Sequence, residues 1–373
     1  MQIDCMFNQN QEHNRIDQIK LQEFAEKVMG DLAATLSSVM VNVGDRLGLY
    51  EALANANKPL DSQELSRITG TSERCIREWL ANQAAGGYIL YDKESQRYSF
   101  PQEHAMVLAN INSPIYLLGG FQAASSYFKD VEKISDAFKT GKGLAWGEHN
   151  HNLFEGTERF FGPNYRANII ASWIPSLEDG KVEEKLKKGA IVADVGCGHG
   201  LSTIIMAKAY PNSKFVGFDN HAPSIDRARK LAQEEGLGKD RITFEIQPAK
   251  DYPLLAPDTK YDLITIYDAL HDMDDPIGAA QHAWSSLKEN GTIMLVEPAA
   301  SDTLENNLTP LGRAMFAASA CVCVLNSMAN NGLALGAQAG QAKIADVMKK
   351  AGFRRFRLAT QTQVNMVYEA KPS

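Results

Sequence analysis

The chain is short of cysteine: 373 residues hold only five, Cys5, Cys75, Cys197, Cys321 and Cys323. Their number is odd and none form a CxxC pair, which excludes a disulfide framework and a zinc knuckle. Positive charge is also in deficit. Lys and Arg total 38 against 45 Asp and Glu, a formal charge of −7. A mildly acidic chain lacks the basic face with which proteins neutralise phosphates. The apolar run Ala317–Leu325, which contains Cys321 and Cys323, is far shorter than the ~20 residues of a membrane helix and reads as a buried helix. Met1–Arg15 is polar, rich in Asn and Gln, and has no apolar segment of the signal-peptide kind. Together with free thiols, this leads us to expect a cytoplasmic protein that does not enter membranes.

What remains is an ordinary globular composition, 44% hydrophobic and 22% charged, in a chain long enough for two or three domains. Residues 1–20 read as a polar tail. From Phe24 to Leu47 apolar residues recur at helical spacing. Asp61 or Ser62 then caps a helix, Ser72 caps the next, Glu73 to Ala85, and Gly86-Gly87 ends it. Tyr88–Tyr91 and Gln96–Phe100 read as strands around a turn. Helix, turn, helix and hairpin make a winged helix over 21–105.

Residues 106–188 read as a helical connector. An aromatic-rich stretch there holds Trp146, His149, His151, Phe154, Phe160, Phe161, Tyr165 and Trp173. It is either a lid over an apolar substrate, with Trp146, His149, Phe161 and Tyr165 as candidate contacts, or inter-domain core. His149 and His151 have no acid or Cys spacing to complete a metal site, so no metal is expected. Over 189–373, short apolar runs alternate with amphipathic helical stretches: Ala190–Val195, Lys214–Phe218, Arg241–Ile246, Tyr261–Tyr267 and Gly291–Val296. That alternation predicts a doubly wound, mostly parallel α/β sheet, with Gly352 to Ala370 as a closing hairpin.

The first strand runs into Asp194-Val195-Gly196-Cys197-Gly198-His199-Gly200. The dinucleotide fingerprint GxGxxG would need a small residue at Leu201, so it fails. A third glycine one place earlier, with an acid two residues before the first, resembles motif I of class I S-adenosylmethionine-dependent methyltransferases. Asp219 closes the second strand, where an acid can accept ribose hydroxyls. The fourth strand leads into Tyr267-Asp268-Ala269-Leu270-His271-Asp272, which resembles the Leu-His-Asp segment of small-molecule O-methyltransferases. The resemblance extends to Arg77–Leu80, Leu153–Gly156 and Met366–Ala370, and covers nearly all of the chain after about residue 20.

The resemblance implies a Rossmann-like seven-stranded methyltransferase sheet behind an N-terminal all-α/winged-helix dimerisation domain, a homodimer, and a small-molecule acceptor. Donor contacts are expected from Asp194, Gly196, Gly198, Gly200, Asp219, Asn220, Ala249 and Tyr267. Pro248 stands where many of these enzymes have an acid. His271 would be the general base for an acceptor hydroxyl, held by Glu297. Two other functions compete. A ligand-responsive winged-helix regulator is opposed by the charge of the reader helix: residues 61–80 hold four acids and three bases, so DNA is not the expected partner. An NAD-dependent oxidoreductase is opposed by Leu201 and Asp194.

Overall fold

A computed structural model describes residues 16–372, which separate into two compact units divided between Ala109 and Asn110. Most of the predicted polar tail lies outside the described residues. Its boundary moves, because a helix α1 spans Gln18–Arg46, and the Asp17 carboxylate accepts from the Ile19 and Lys20 amides to start it.

The first unit continues with α2 (Leu49–Ala56), α3 (Ser62–Thr69), α4 (Glu73–Ala85), a hairpin of β1 (Leu90–Asp92) and β2 (Arg97–Ser99), and α5 (Gln102–Leu108). Asp61 and Glu64 close a reciprocal capping box on α3. Ser72 occupies the N-cap of α4, but its hydroxyl makes no capping bond. The hairpin is shifted one or two residues from the predicted strands. Ile76, Trp79 and Leu80 bury one face of α4, and the Trp79 indole donates to the Met40 carbonyl at 2.8 Å. Most of α1 is left uncovered within the unit, since only Val41 and Gly44 are buried.

The second unit opens with α6 (Leu118–Lys129), α7 (Val131–Thr140), α8 (Asn152–Asn168) and α9 (Lys181–Lys188). Then β3 (Ile191–Val195), α10 (Leu201–Ala209), β4 (Lys214–Asp219), α11 (Ala222–Glu234), β5 (Ile242–Ile246), β6 (Tyr261–Tyr267), α12 (Pro276–Ser286) and β7 (Leu287–Pro298) alternate as expected. After α13 (Pro310–Ala318), α14 (Val324–Ala329) and α15 (Gly340–Lys350) come β8 (Arg355–Gln361) and β9 (Asn365–Lys371).

The seven strands order as β5-β4-β3-β6-β7-β9-β8. Pairing is parallel from β5 through β7, and β9 inserts antiparallel between β7 and β8. Alternate residues of the central strands face opposite cores: Val192 packs with Trp173, Ile204 and Ile225, and Ala193 with Ile264, Ala280 and Ile344. A sheet buried on both faces explains why its strands read as continuous apolar runs. The strand order reverses at β3, and ligands bind at such reversals, beyond the carboxyl ends of the strands.

The Ala317–Leu325 run belongs to a longer helix than the sequence suggested. Pro310–Ala329 is long and apolar enough, by length and composition, to cross a membrane. In the fold, Met315, Val322, Leu325 and Ser327 are buried. Asn326 Nδ2 and Ser327 Oγ donate to the carbonyls of Asp272 and Met273, which ties this helix to the loop after β6.

Candidate active site

The loop after β3 begins the site. Gly196, Gly198 and Gly200 all lie in the left-handed region, with φ of 73°, 52° and 77°. A Cβ on Gly200 would meet the Phe244 ring at 2.6 Å, whereas one on Gly198 would meet nothing within 4 Å. The first glycine of the two packs the loop onto the sheet, and the second keeps open space clear. The Gly196 and Cys197 amides donate to the Phe218 carbonyl, and the Gly198 amide donates to Asp219 Oδ2 at 2.9 Å. Asp219 Oδ1 accepts from the His221 amide at 2.8 Å. Burial pushes this carboxyl's pKa up, and the two amides oppose the shift.

These residues border a cavity of about 520 Å³, within the range of small-molecule and cofactor sites. Gly196, Gly198, Asp219, Asn220, Ala249 and Tyr267 line it, as do Trp146, Phe161 and Tyr165 from the aromatic segment. Gln247, Pro248 and Lys250 complete the β5 side, with Lys250 Nζ 3.3 Å from Asp274 Oδ2. The wall is rich in acid: Glu158, Asp219, Asp268, Asp272, Asp274 and Asp275 line it with one lysine, Lys250.

Five predicted residues lie off the cavity lining, and one of them is Gly200, which packs against the Phe244 ring. Asp194 is fully buried behind the loop, where its carboxylate accepts from the Ser202, Thr203 and Thr265 hydroxyls at 2.6, 2.6 and 2.9 Å. With its oxygens so engaged it braces the glycine loop and does not line the cavity. His149 also lies elsewhere. It is buried with Nδ1 3.4 Å from Asp130 Oδ2, at the α6–α7 junction, and burial lowers its pKa. His271 and Glu297 meet as expected, with Nδ1 to Oε2 at 2.6 Å, and Glu297 also accepts from the Leu270 amide. Yet the pair is buried at 4% and 3% exposure, and neither residue belongs to the cavity lining. Burial alone would lower the His271 pKa, but the Glu297 carboxylate and the Cys323 thiol outweigh it and hold it well above the ordinary value. So enclosed, the imidazole stands back from the cavity in which an acceptor would lie.

The structure adds a residue that the sequence reading passed over. Asp268 follows β6 and lines the cavity in the left-handed region, with φ of 47°. Its Oδ2 accepts from the Tyr165 hydroxyl at 2.7 Å and its Oδ1 from Asn365 Nδ2 at 2.8 Å. Asn365, fully buried on β9, accepts from Asn164 Nδ2 at 2.7 Å. Burial pushes the Asp268 carboxyl up to about 7, as it does that of Asp272. A non-glycine residue held at positive φ beside a cavity is a candidate functional position. Asp268 stood inside the quoted motif, but its partners lie 103 residues before it and 97 after it, beyond the reach of local spacing. Among the described residues, no group of three or more His, Cys, Asp or Glu could hold a metal ion.

Residues 186–352 match the methyltransferase-domain family, and residues 34–110 match the Rv2258c-like winged helix-turn-helix domain family. The chain carries a methyltransferase domain. A stretch of 105 residues of the chain is 34% identical to the ubiquinone biosynthesis O-methyltransferase of Actinobacillus pleuropneumoniae serotype 7, covering 28% of this chain and 44% of that protein. The corresponding protein of Histophilus somni is 33% identical over 136 residues, 36% of this chain and 53% of its own length. The matches thus span about half the length of these relatives. The chain also aligns with solved structures. Mitomycin 7-O-methyltransferase MmcR aligns with a TM-score of 0.66 at 19% identity, covering 95% of this chain and 99% of that one. Human N-acetylserotonin methyltransferase, solved in complex with SAM, aligns at 0.62 and 17% identity, covering 93% and 97%. At these identities the likeness is one of fold.

Proposed function

We propose that the protein is an S-adenosylmethionine-dependent methyltransferase acting on a small-molecule acceptor, with a hydroxyl as the acceptor group. The observation that carries this reading is the glycine loop under the cavity, with a strand-end carboxylate beside it. The fit is testable on the residues. The open space over Gly198 accommodates a chain that a Cβ would obstruct. Asp219 keeps a lone pair on each oxygen for ribose hydroxyls, since each oxygen accepts one amide. Asn220 and Ala249, which line the cavity, would hold the nucleoside end, and Gly196 and Tyr267 the amino-acid end. When bound, S-adenosylmethionine supplies an activated methyl group for in-line displacement at its sulfonium.

This chain's own residues orient the reactants and exclude water, and positioning alone supplies much of such a transfer. Phe161, Tyr165 and Trp146 form the apolar wall against which an acceptor would lie. His271 and Glu297 are read as a positioning pair that fixes the loop carrying Asp268 and Asp272. The regulator reading loses support at α4, where Arg74 and Arg77 each lie 2.6 Å from a glutamate of the same helix, Glu78 and Glu73. Arginines so paired are less available to phosphates. Seven apolar residues of α1 (Leu21, Phe24, Val28, Met29, Leu32, Leu36 and Val39) are 48–64% exposed in the single chain. A stripe of that extent supports a homodimer formed through the N-terminal unit. The free cysteines support a reducing compartment, the cytoplasm. Calorimetric titration with S-adenosylmethionine, S-adenosylhomocysteine and NAD tests the reading. Binding of the first two only is the expected result, and binding of NAD alone would overturn it.

A further inference from the structure

The sheet edge orders the cavity wall. From one side come the loops after β5 (Gln247–Lys250), β4 (Asp219–His221), β3 (Gly196–Gly198) and β6 (Asp268 onward). Neighbouring strands lie about 4.8 Å apart, so β4 and β6 stand about 10 Å apart across β3. A donor whose ribose rests on Asp219 and which crosses the glycine loop brings its sulfonium end to Asp268. Close approach across that step is already visible, since a Cβ on Gly196 would lie 2.9 Å from the Ala269 Cβ.

Asp268 is held by neutral donors only. The Tyr165 hydroxyl from α8 and the Asn365 amide from β9 aim its carboxyl, and it forms no ion pair among the described residues. The charged groups that face it are Glu297 from β7 and His271 from its own loop. Those two are bound to each other at 2.6 Å, so their charges offset. The carboxylate therefore borders the cavity without a cation of its own.

Resting on the donor reading above, we propose that Asp268 is the counter-charge for the donor's sulfonium, so that the site holds the charged donor in preference to its neutral demethylated product. The upward pull of burial on the Asp268 pKa supports the same arrangement. A cation arriving beside such a group draws out its proton, and a neutral thioether does not. The preference therefore grows as pH rises through neutrality.

The test is calorimetry on the full chain with S-adenosylmethionine and S-adenosylhomocysteine, at pH 8 and pH 6, for wild type and Asp268→Asn. The expected result at pH 8 is an about tenfold fall in the donor-to-product affinity ratio on Asp268→Asn, with product affinity nearly unchanged. The wild-type ratio should fall similarly between pH 8 and pH 6, and Asp272→Asn should retain that pH dependence. An unchanged ratio overturns the proposal. Equal weakening of both ligands also overturns it, because the side chain would then serve the amino-acid part that they share. If Asp268→Asn does not fold, proton release on binding to wild type, read from titrations in buffers of different ionisation enthalpy, decides between the same outcomes. Failure of both ligands to bind wild type would instead refute the donor reading itself.

Discussion

His271→Ala tests the buried pair that His271 makes with Glu297. The substitution removes the 2.6 Å bond to Glu297 and leaves that carboxylate at 3% exposure, with the Leu270 amide at 3.1 Å as its remaining donor. Breaking a buried pair from one side costs about 3–5 kcal/mol, because the surviving charge is uncompensated. The His271 pKa is raised above its ordinary value near 6.5. The folded state therefore holds a proton that the unfolded state releases first. The pair's contribution is complete below about pH 6.5 and is lost as pH rises through the folded pKa. Urea unfolding from pH 6 to pH 10 reads both effects. Wild type should lose stability toward alkaline pH with a component that His271→Ala lacks, and the variant should be weaker by the stated amount at pH 6. A variant within about 1 kcal/mol of wild type, with the same pH slope, would refute the reasoning.

Other perturbations reach different parts of the molecule. Gly200→Ala forces a side chain into φ 77° and against the Phe244 ring at 2.6 Å. It should cost about 2 kcal/mol or more and abolish donor binding, measured by thermal melting and calorimetry. Asp219→Ala removes the acceptor of the Gly198 and His221 amides. Donor affinity should fall about 10- to 100-fold, as for loss of charge-assisted hydrogen bonds, and retained affinity would displace Asp219 from the ribose. Leu32→Glu with Leu36→Glu puts charge on the exposed stripe of α1, and light scattering should report a monomer if that stripe is the dimer interface.

Much of the fold was legible because it rests on local signals. The cap at Asp61, the Gly86 stop and the apolar strand runs each act within a few residues. The glycine loop was legible for a similar reason, since three positive φ values in five residues require glycine whatever the rest of the chain does. The strand bounds of the wing slipped because its strands are three residues long and mostly exposed, which leaves little period to read. The start of α1 was missed because the Asp17 cap that begins it was not read, although the apolar stripe already runs through Leu21.

Three strand-end acids show where local reading stops. Asp194, Asp219 and Asp268 lie at or next to the carboxyl ends of β3, β4 and β6, and in sequence each is an acid at a favourable place. Their roles diverge through the donors they meet. Asp194 meets three hydroxyls, two from α10 and one from β6, and is consumed in holding the loop. Asp219 meets two backbone amides and stays open to the cavity. Asp268 meets a tyrosine from α8 and an asparagine from β9, both neutral, and faces the cavity with its charge unmatched. A carboxylate in low dielectric is stabilised by what surrounds it or by what it binds. Asp194 is stabilised within the fold, which makes it part of the scaffold. Asp268 is not, and so the site is drawn toward a cation.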